Sequence, residues 1–238
     1  MNVVALILAI VVIILFYMLY RFFMLKSTEL SSTASLLDSN PVIDIKNNPT
    51  GVRYTYGIWI YVNSWDASID KTIFKRANNI KLYFSATAPV LKCDITMNGS
   101  TVAAPVTSTI EITDNFPIQK WVHIVTSVDN QYLDAYLDGK LVKSGRLHTD
   151  ADAESTPAIA ESTPKTPGAE GMVIGGDTTY DAYIAKFNHW SSPLDPQTVW
   201  STYNEGNGQS SMNNYISSYG IDLSILRDNV EQSKYSLF

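Results

Sequence analysis

The sequence predicts an all-β sandwich preceded by a single transmembrane helix. Three observations predict it. The chain opens on MNVVALILAIVVIILFYMLY, a stretch without one charged side chain. Between residues 50 and 190, short runs of β-branched and aromatic residues alternate with Asp, Asn and Gly at turns. Over the same stretch, the 3.6-residue apolar period of a helix is almost absent.

The opening stretch is membrane-length. About 20 residues rising about 1.5 Å each match the roughly 30 Å hydrocarbon core of a bilayer, where a lone segment satisfies its backbone only as a helix. Val3, Leu6, Ile10 and Ile14 supply its apolar surface, and Tyr17, Tyr20, Phe22 and Phe23 fall near one interface as an aromatic belt. A cleaved signal peptide is the alternative, but no basic residue precedes the run and no small-x-small cleavage site follows. Arg21 and Lys26 flank its C-terminal end, so the positive-inside rule places the rest of the chain on the cytoplasmic side.

At 238 residues the chain holds one sizeable domain plus this appendage. Charged residues make up 17% and the net charge is −6, with Lys and Arg scattered, so no basic field exists for nucleic acid. Cys93 is the single cysteine, which excludes an intrachain disulfide and a cysteine zinc cluster and agrees with a reducing compartment. Asn98-Gly99-Ser100 is a glycosylation acceptor only in a secretory lumen.

Residues 27–50, rich in Ser, Thr, Asn and Pro, read as a linker that ends by docking on the domain. VRYTYGIWIYV, residues 52–62, is apolar without alternation, as a strand buried on both faces would be. Further strands are expected at 72–76, 79–86, 91–97 and 108–113. In WVHIVTSVDNQYLDAYLDGKLV, residues 121–142, Val122, Ile124, Thr126 and Val128 alternate with His123, Val125 and Ser127; Asp129-Asn130 and Asp138-Gly139 supply αL-tolerant turn pairs. The result is a three-stranded meander.

Residues 148–170, with ESTP repeated and three prolines, read as an exposed extended loop. Strand character returns over 172–195, where Gly175-Gly176 permits a bend. DPQTVWSTYNEG, residues 195–206, is a short helix with Asp195 as cap, Pro196 at its first position and Gly206 past its end. In the tail, residues 207–238, Ile221, Ile225, Leu226 and Val230 share one side of a helix that either packs on its own domain or docks a partner.

The order of these pieces is specific in combination. YTYGIWIYV, WVHIVTSVD with its YLDAYLDGKLV hairpin, MVIGG, YIAKFNHW and PLDPQTVWSTYNEG together resemble the laminin-G-like, concanavalin-A-like lectin/glucanase superfamily across about residues 50–206. The resemblance implies a jelly-roll sandwich of two antiparallel sheets over residues 51–206. In architecture, one N-terminal span plus one lectin-like domain, the chain is also similar to membrane-anchored virion proteins of large double-stranded DNA viruses.

Glucanases of that superfamily carry an E-x-D-x-x-E strand motif that sets acid and nucleophile on one sheet face. The motif does not occur here, and Asp129 and Asp138 fall at turns, where Asp serves backbone geometry. His123 and His189 lack metal-ligand spacing and read as buried structural imidazoles satisfied by backbone. The superfamily often binds calcium at the sandwich rim, and Asp66, Asp70, Asp177 and Asp181 near loop ends are the candidates, with no other cofactor expected. For a glycan, Trp65, Tyr183 and Trp190 are the candidate platforms, core packing being their alternative use.

Two functions follow. In the first, a non-enzymatic structural protein is anchored in a bilayer and contacts neighbouring proteins, as a minor capsid component joining an internal virion membrane to the shell. In the second, the chain is a membrane-displayed lectin, with the opposite topology and a glycosylated Asn98.

Overall fold

A strand presents successive side chains to opposite faces, so a segment apolar on both faces must be covered twice. Strand β2 (Arg53–Val62) is such a segment. Tyr54, Tyr56, Ile58, Ile60 and Val62 point into the space between two sheets, and Trp59 is buried on the other side. The structure is a computed structural model that describes residues 8, 10–17, 27–99, 106–148, 162–176, 178–208, 222–227 and 230–236.

The chain builds β1 (Thr28–Ser35), β2, β3 (Lys71–Arg76), β4 (Ile80–Phe84), β5 (Leu91–Thr96), β6 (Thr107–Thr113) and β7 (Trp121–Asp129). Then come β8 (Tyr132–Leu137), β9 (Lys140–Arg146), β10 (Met172–Ile174), β11 (Ala182–Trp190), a helix at Pro196–Asn204, and β12 (Asp222–Arg227) with β13 (Val230–Ser236). Every pairing is antiparallel. A six-stranded sheet in the order β1-β11-β2-β7-β8-β9 faces a five-stranded sheet in the order β10-β3-β4-β5-β6, consistent with a jelly roll. One continuous apolar core fills the space between them, from Tyr54 and Tyr56 through Phe74, Phe84 and Leu91 to Phe187.

The helix covers the outer face of the six-stranded sheet. Asp195 caps it, accepting from the backbone N–H groups of Gln197 (2.9 Å) and Thr198 (3.0 Å). Val199 then packs on Val125 and Tyr136 in a second apolar cluster. The bare backbone of Gly57 lets Trp190 lie flat on this face, since a Cβ there would stand 3.0 Å from the indole. Thus the two-sided burial expected of residues 52–62 is provided by the opposing sheet and by the helix.

Four expectations need correction. The stretch read as a linker contains β1, paired with β11 along the sheet edge; its polar composition misled because an edge strand is held by backbone hydrogen bonds as much as by side chains. The first turn of the meander comprises Asn130 and Gln131, with Asp129 still paired to Tyr132. Residues 162–170 do not stand free of the domain: Asn98 donates to the Thr163 hydroxyl and Arg76 to the carbonyls of Gly168 and Glu170. In the tail, residues 222–227 and 230–236 form two paired antiparallel strands, not a helix, with Arg227 opposite Val230. Helical spacing and strand alternation coincide over so short a stretch, and a two-residue Asp-Asn link in the sequence favours strand pairing.

Leu8 and residues 10–17 of the apolar opening are helical, with the side chains of Ile10, Ile14 and Tyr17 exposed. No helix among the described residues is long and apolar enough to cross a membrane. Val3, Leu6, Tyr20, Arg21 and Lys26 lie outside the described residues, as does Ile221. Ile225, Leu226 and Val230 lie in the backbone of the terminal strand pair.

Candidate functional site

Register places aromatic side chains in a row. Tyr183 on β11 pairs with Tyr61 on β2, which pairs with Trp121 on β7, so three adjacent strands present an aromatic residue at one level of the outer sheet face. The Tyr61 and Trp121 rings lie 5.7 Å apart, and Tyr183 is 42% exposed. Two residues along each strand, Trp59 stacks on His123 at 5.0 Å, and Tyr203 of the helix stacks on Trp59 at 5.5 Å. The helix thus covers the second level and leaves the first partly open. Trp200, 45% exposed and 5.5 Å from Tyr203, continues the aromatic surface along the helix. Such faces stack on the apolar side of a sugar ring or on the side chains of a protein partner.

Only Tyr183 of this row was legible as a platform candidate. Tyr61 and Trp121 read as core residues of apolar runs, and nothing short of the strand pairing aligns them. Of the other candidates, Trp190 is buried under the helix-bearing face, and Trp65 packs edge-on against Phe84 at 5.7 Å. The three therefore form no common platform.

Of the calcium candidates, the described Asp66, Asp70 and Asp181 form no metal site among the described residues. Asp181 accepts from the Asn63 amide (2.6 Å) and the Ser64 hydroxyl (3.4 Å), and the Asp70 carbonyl accepts from Thr178 (2.5 Å). Asp66 accepts from the backbone and hydroxyl of Ser68, which hold its carboxyl below the usual carboxylate range. At the centre stands a cation supplied by the chain. The ammonium of buried Lys71 donates to the carbonyls of Asp66, Ile69 (2.7 Å) and Ala86 (3.5 Å) and sits 4.2 Å over the Trp65 ring. Carbonyl oxygens that a hard cation would recruit are taken, so the described residues do not fit calcium. Among the described residues no three His, Cys, Asp or Glu side chains converge; Asp177 lies outside them.

The carboxylates near the meander are dispersed. Asp129 pairs with Arg53 at 3.0 Å, Asp138 accepts from the His123 N–H (3.0 Å) and lies 3.3 Å from Lys120, and Glu111 lies on the opposite sheet 3.7 Å from Lys92. Both strand histidines are buried, and burial pushes each down to about 4, helped at His189 by the Arg76 charge and at His123 by Lys186. Backbone satisfaction fails, however. His123 Nδ1 and both nitrogens of His189 lack a hydrogen-bond partner among the described residues, each at a cost of about 1–3 kcal/mol if left unmade.

The fold and these sites can be set beside known proteins. A family model for the concanavalin A-like lectin/glucanases superfamily matches residues 37–200. The receptor-binding domain of botulinum neurotoxin D superposes with a TM-score of 0.51 at 14% identity, covering 76% of this chain and 47% of that one. The botulinum neurotoxin serotype G binding domain gives 0.50 at 15% identity, covering 76% and 46%. The serotype D ligand-binding domain solved in complex with N-acetylneuraminic acid gives 0.50 at 14% identity, with 76% and 46% covered. At such identity the likeness is one of fold alone, and this chain spans less than half the length of each. No curated protein matches the chain.

Proposed function

The chain belongs to the concanavalin A-like lectin/glucanases superfamily, and on that premise we propose a non-enzymatic interaction module held at a membrane by its apolar N-terminal segment. The observation that carries this reading is the partly open aromatic row Tyr183, Tyr61 and Trp121, the face on which a partner docks. Dispersal of Asp129, Asp138 and Glu111 over turns and opposite sheets supports the non-enzymatic part, because retaining hydrolysis needs two carboxyls roughly 5 Å apart across one bond.

In its finer form the bilayer is the internal membrane of a virion and the partner is a protein of the capsid shell. Arg21 and Lys26 after the apolar run support a cytoplasm-facing domain, as does a buried, unpaired Cys93. The Asn98 side-chain amide, the atom a glycan would modify, instead donates to Thr163 (3.0 Å) and the Pro164 carbonyl (3.3 Å). The second reading, a membrane-displayed glycan-binding module, draws on the same aromatic row and requires the domain to face the lumen.

Protease added to sealed vesicles tests the two. Digestion of the domain is expected; protection, with a mobility shift on glycosidase treatment, would assign the glycan reading instead. A Tyr61→Ala, Trp121→Ala double variant is expected to reduce capture of the partner, or of a glycan, at least about tenfold, equivalent to about 1.4 kcal/mol. Unchanged capture by that variant would remove this sheet face from the binding role.

A further inference from the structure

Beside β1, at the open edge between the sheets, lies a polar groove of about 500 Å³ lined by Thr28, Lys46, Asn47, Asn48, His189 and Ser191. Its chemistry is one-sided. No carboxylate is among these residues, and Lys46, exposed, has no ion pair among the described residues. Asn47 donates to the Thr28 hydroxyl (3.4 Å), which leaves the hydroxyl hydrogen available to a ligand.

Behind the groove stands a second cation. Arg76, 2% exposed, donates to Asn48 Oδ1 (2.5 Å), Tyr56 Oη (3.2 Å) and the carbonyls of Gly168 (2.7 Å) and Glu170 (2.9 Å). All four acceptors are neutral, and the nearby Glu170 carboxylate, which Arg76 helps to hold ionised, offsets part of the guanidinium charge. His189, 1% exposed, forms part of the lining with its ring 5.0 Å from Tyr56, and neither of its nitrogens has a partner among the described residues. A buried imidazole without a hydrogen bond among the described residues, in a groove whose lining holds Lys46 and no carboxylate, offers its N–H to an anion.

We propose that this groove binds a phosphoryl oxyanion, with Lys46 at the mouth supplying charge and the His189 N–H, the Thr28 hydroxyl and the Asn47 amide supplying donors. Against a net charge of −6 over the whole chain, the groove is a local exception that draws an anion to this edge. The oxyanion comes either from a lipid headgroup or from free phosphate. Thr28 follows Lys26 by two residues, so the headgroup source rests on the membrane-anchored reading; the free-phosphate source does not.

The full chain in detergent micelles is titrated calorimetrically with inorganic phosphate, glycerol-3-phosphate and N-acetylneuraminate. Saturable phosphate binding is expected, weakened at least about tenfold by Lys46→Glu, an exposed change that leaves the unfolding midpoint in place. Tighter binding of glycerol-3-phosphate identifies the headgroup, and equal binding identifies free phosphate; both uphold the site. No saturable phosphate binding to about 10 mM, binding indifferent to Lys46→Glu, or binding of N-acetylneuraminate alone overturns it. Extraction of membranes with alkaline carbonate reports separately whether the chain is embedded, so failure of the anchor is distinguishable from failure of the groove.

Discussion

Lys71 shows how one side chain can decide the chemistry of a loop. Its ammonium occupies the point where the carbonyls of Asp66, Ile69 and Ala86 converge, with Asp66 and Asp70 as the nearby charges and Trp65 as a lid. Burial pulls its pKa down while those carboxylates oppose the shift, so the charge is kept by its surroundings. Lys71→Met removes the donor from all three carbonyls and is expected to destabilise the domain by about 2–4 kcal/mol, read as a lower urea midpoint. Millimolar calcium is expected to leave the wild-type midpoint unchanged, since the cage is filled. A calcium-dependent rise of the wild-type midpoint would show that the rim holds a metal after all. No sequence signal distinguishes this lysine, which sits in KTIFKR as one of two, from an ordinary strand-end cation.

Among the elements, the helix at Pro196–Asn204 depends most on a single local interaction. It is nine residues long, too short to persist without its cap and its packing. Asp195 holds its first turn, and Val199 and Tyr203 tie it to Val125, Tyr136 and Trp59. Asp195→Ala is expected to cost about 1 kcal/mol, measured as a shift of the thermal midpoint, and to raise amide exchange across the helix while leaving β3 to β6 protected. Sequence legibility also varied by element. Cap, N1 proline and closing Gly206 made this helix readable from spacing alone. The turn Asp138-Gly139, with φ of 47° and 77°, was equally readable because few residues tolerate that backbone. Edge strand β1 was not, because TELSSTAS has no apolar alternation and is fixed by its ladder with β11.

For the whole molecule, two neutral histidines buried in one sheet predict an acid-sensitive fold. Each titrates near 4 when folded against 6.5 in the unfolded chain. Depressed folded values mean that the unfolded state binds more protons, so stability is full above pH 6.5, falls as pH drops toward 4 and levels below that. At about 1.4 kcal/mol per unit, each histidine withdraws up to about 3 kcal/mol across that window. Urea midpoints between pH 7 and 5 are expected to fall steadily, and His123→Gln to shallow the slope by about one proton. A flat profile over that range would place both imidazoles in contact with solvent.

Composition and period were enough to establish an all-β chain with an apolar opening, because those properties repeat along the sequence and do not depend on which strand neighbours which. The strand positions, the meander, the helix and the family likeness belong to that level. Register and layer order belong to the tertiary structure, and they alone aligned Tyr183 with Tyr61 and Trp121, set Lys71 inside the rim and left His189 facing a groove without a partner. The physical reason is distance along the chain: residues 183, 61 and 121 meet only through strand pairing across long connections, and no local pattern encodes a contact between segments that far apart.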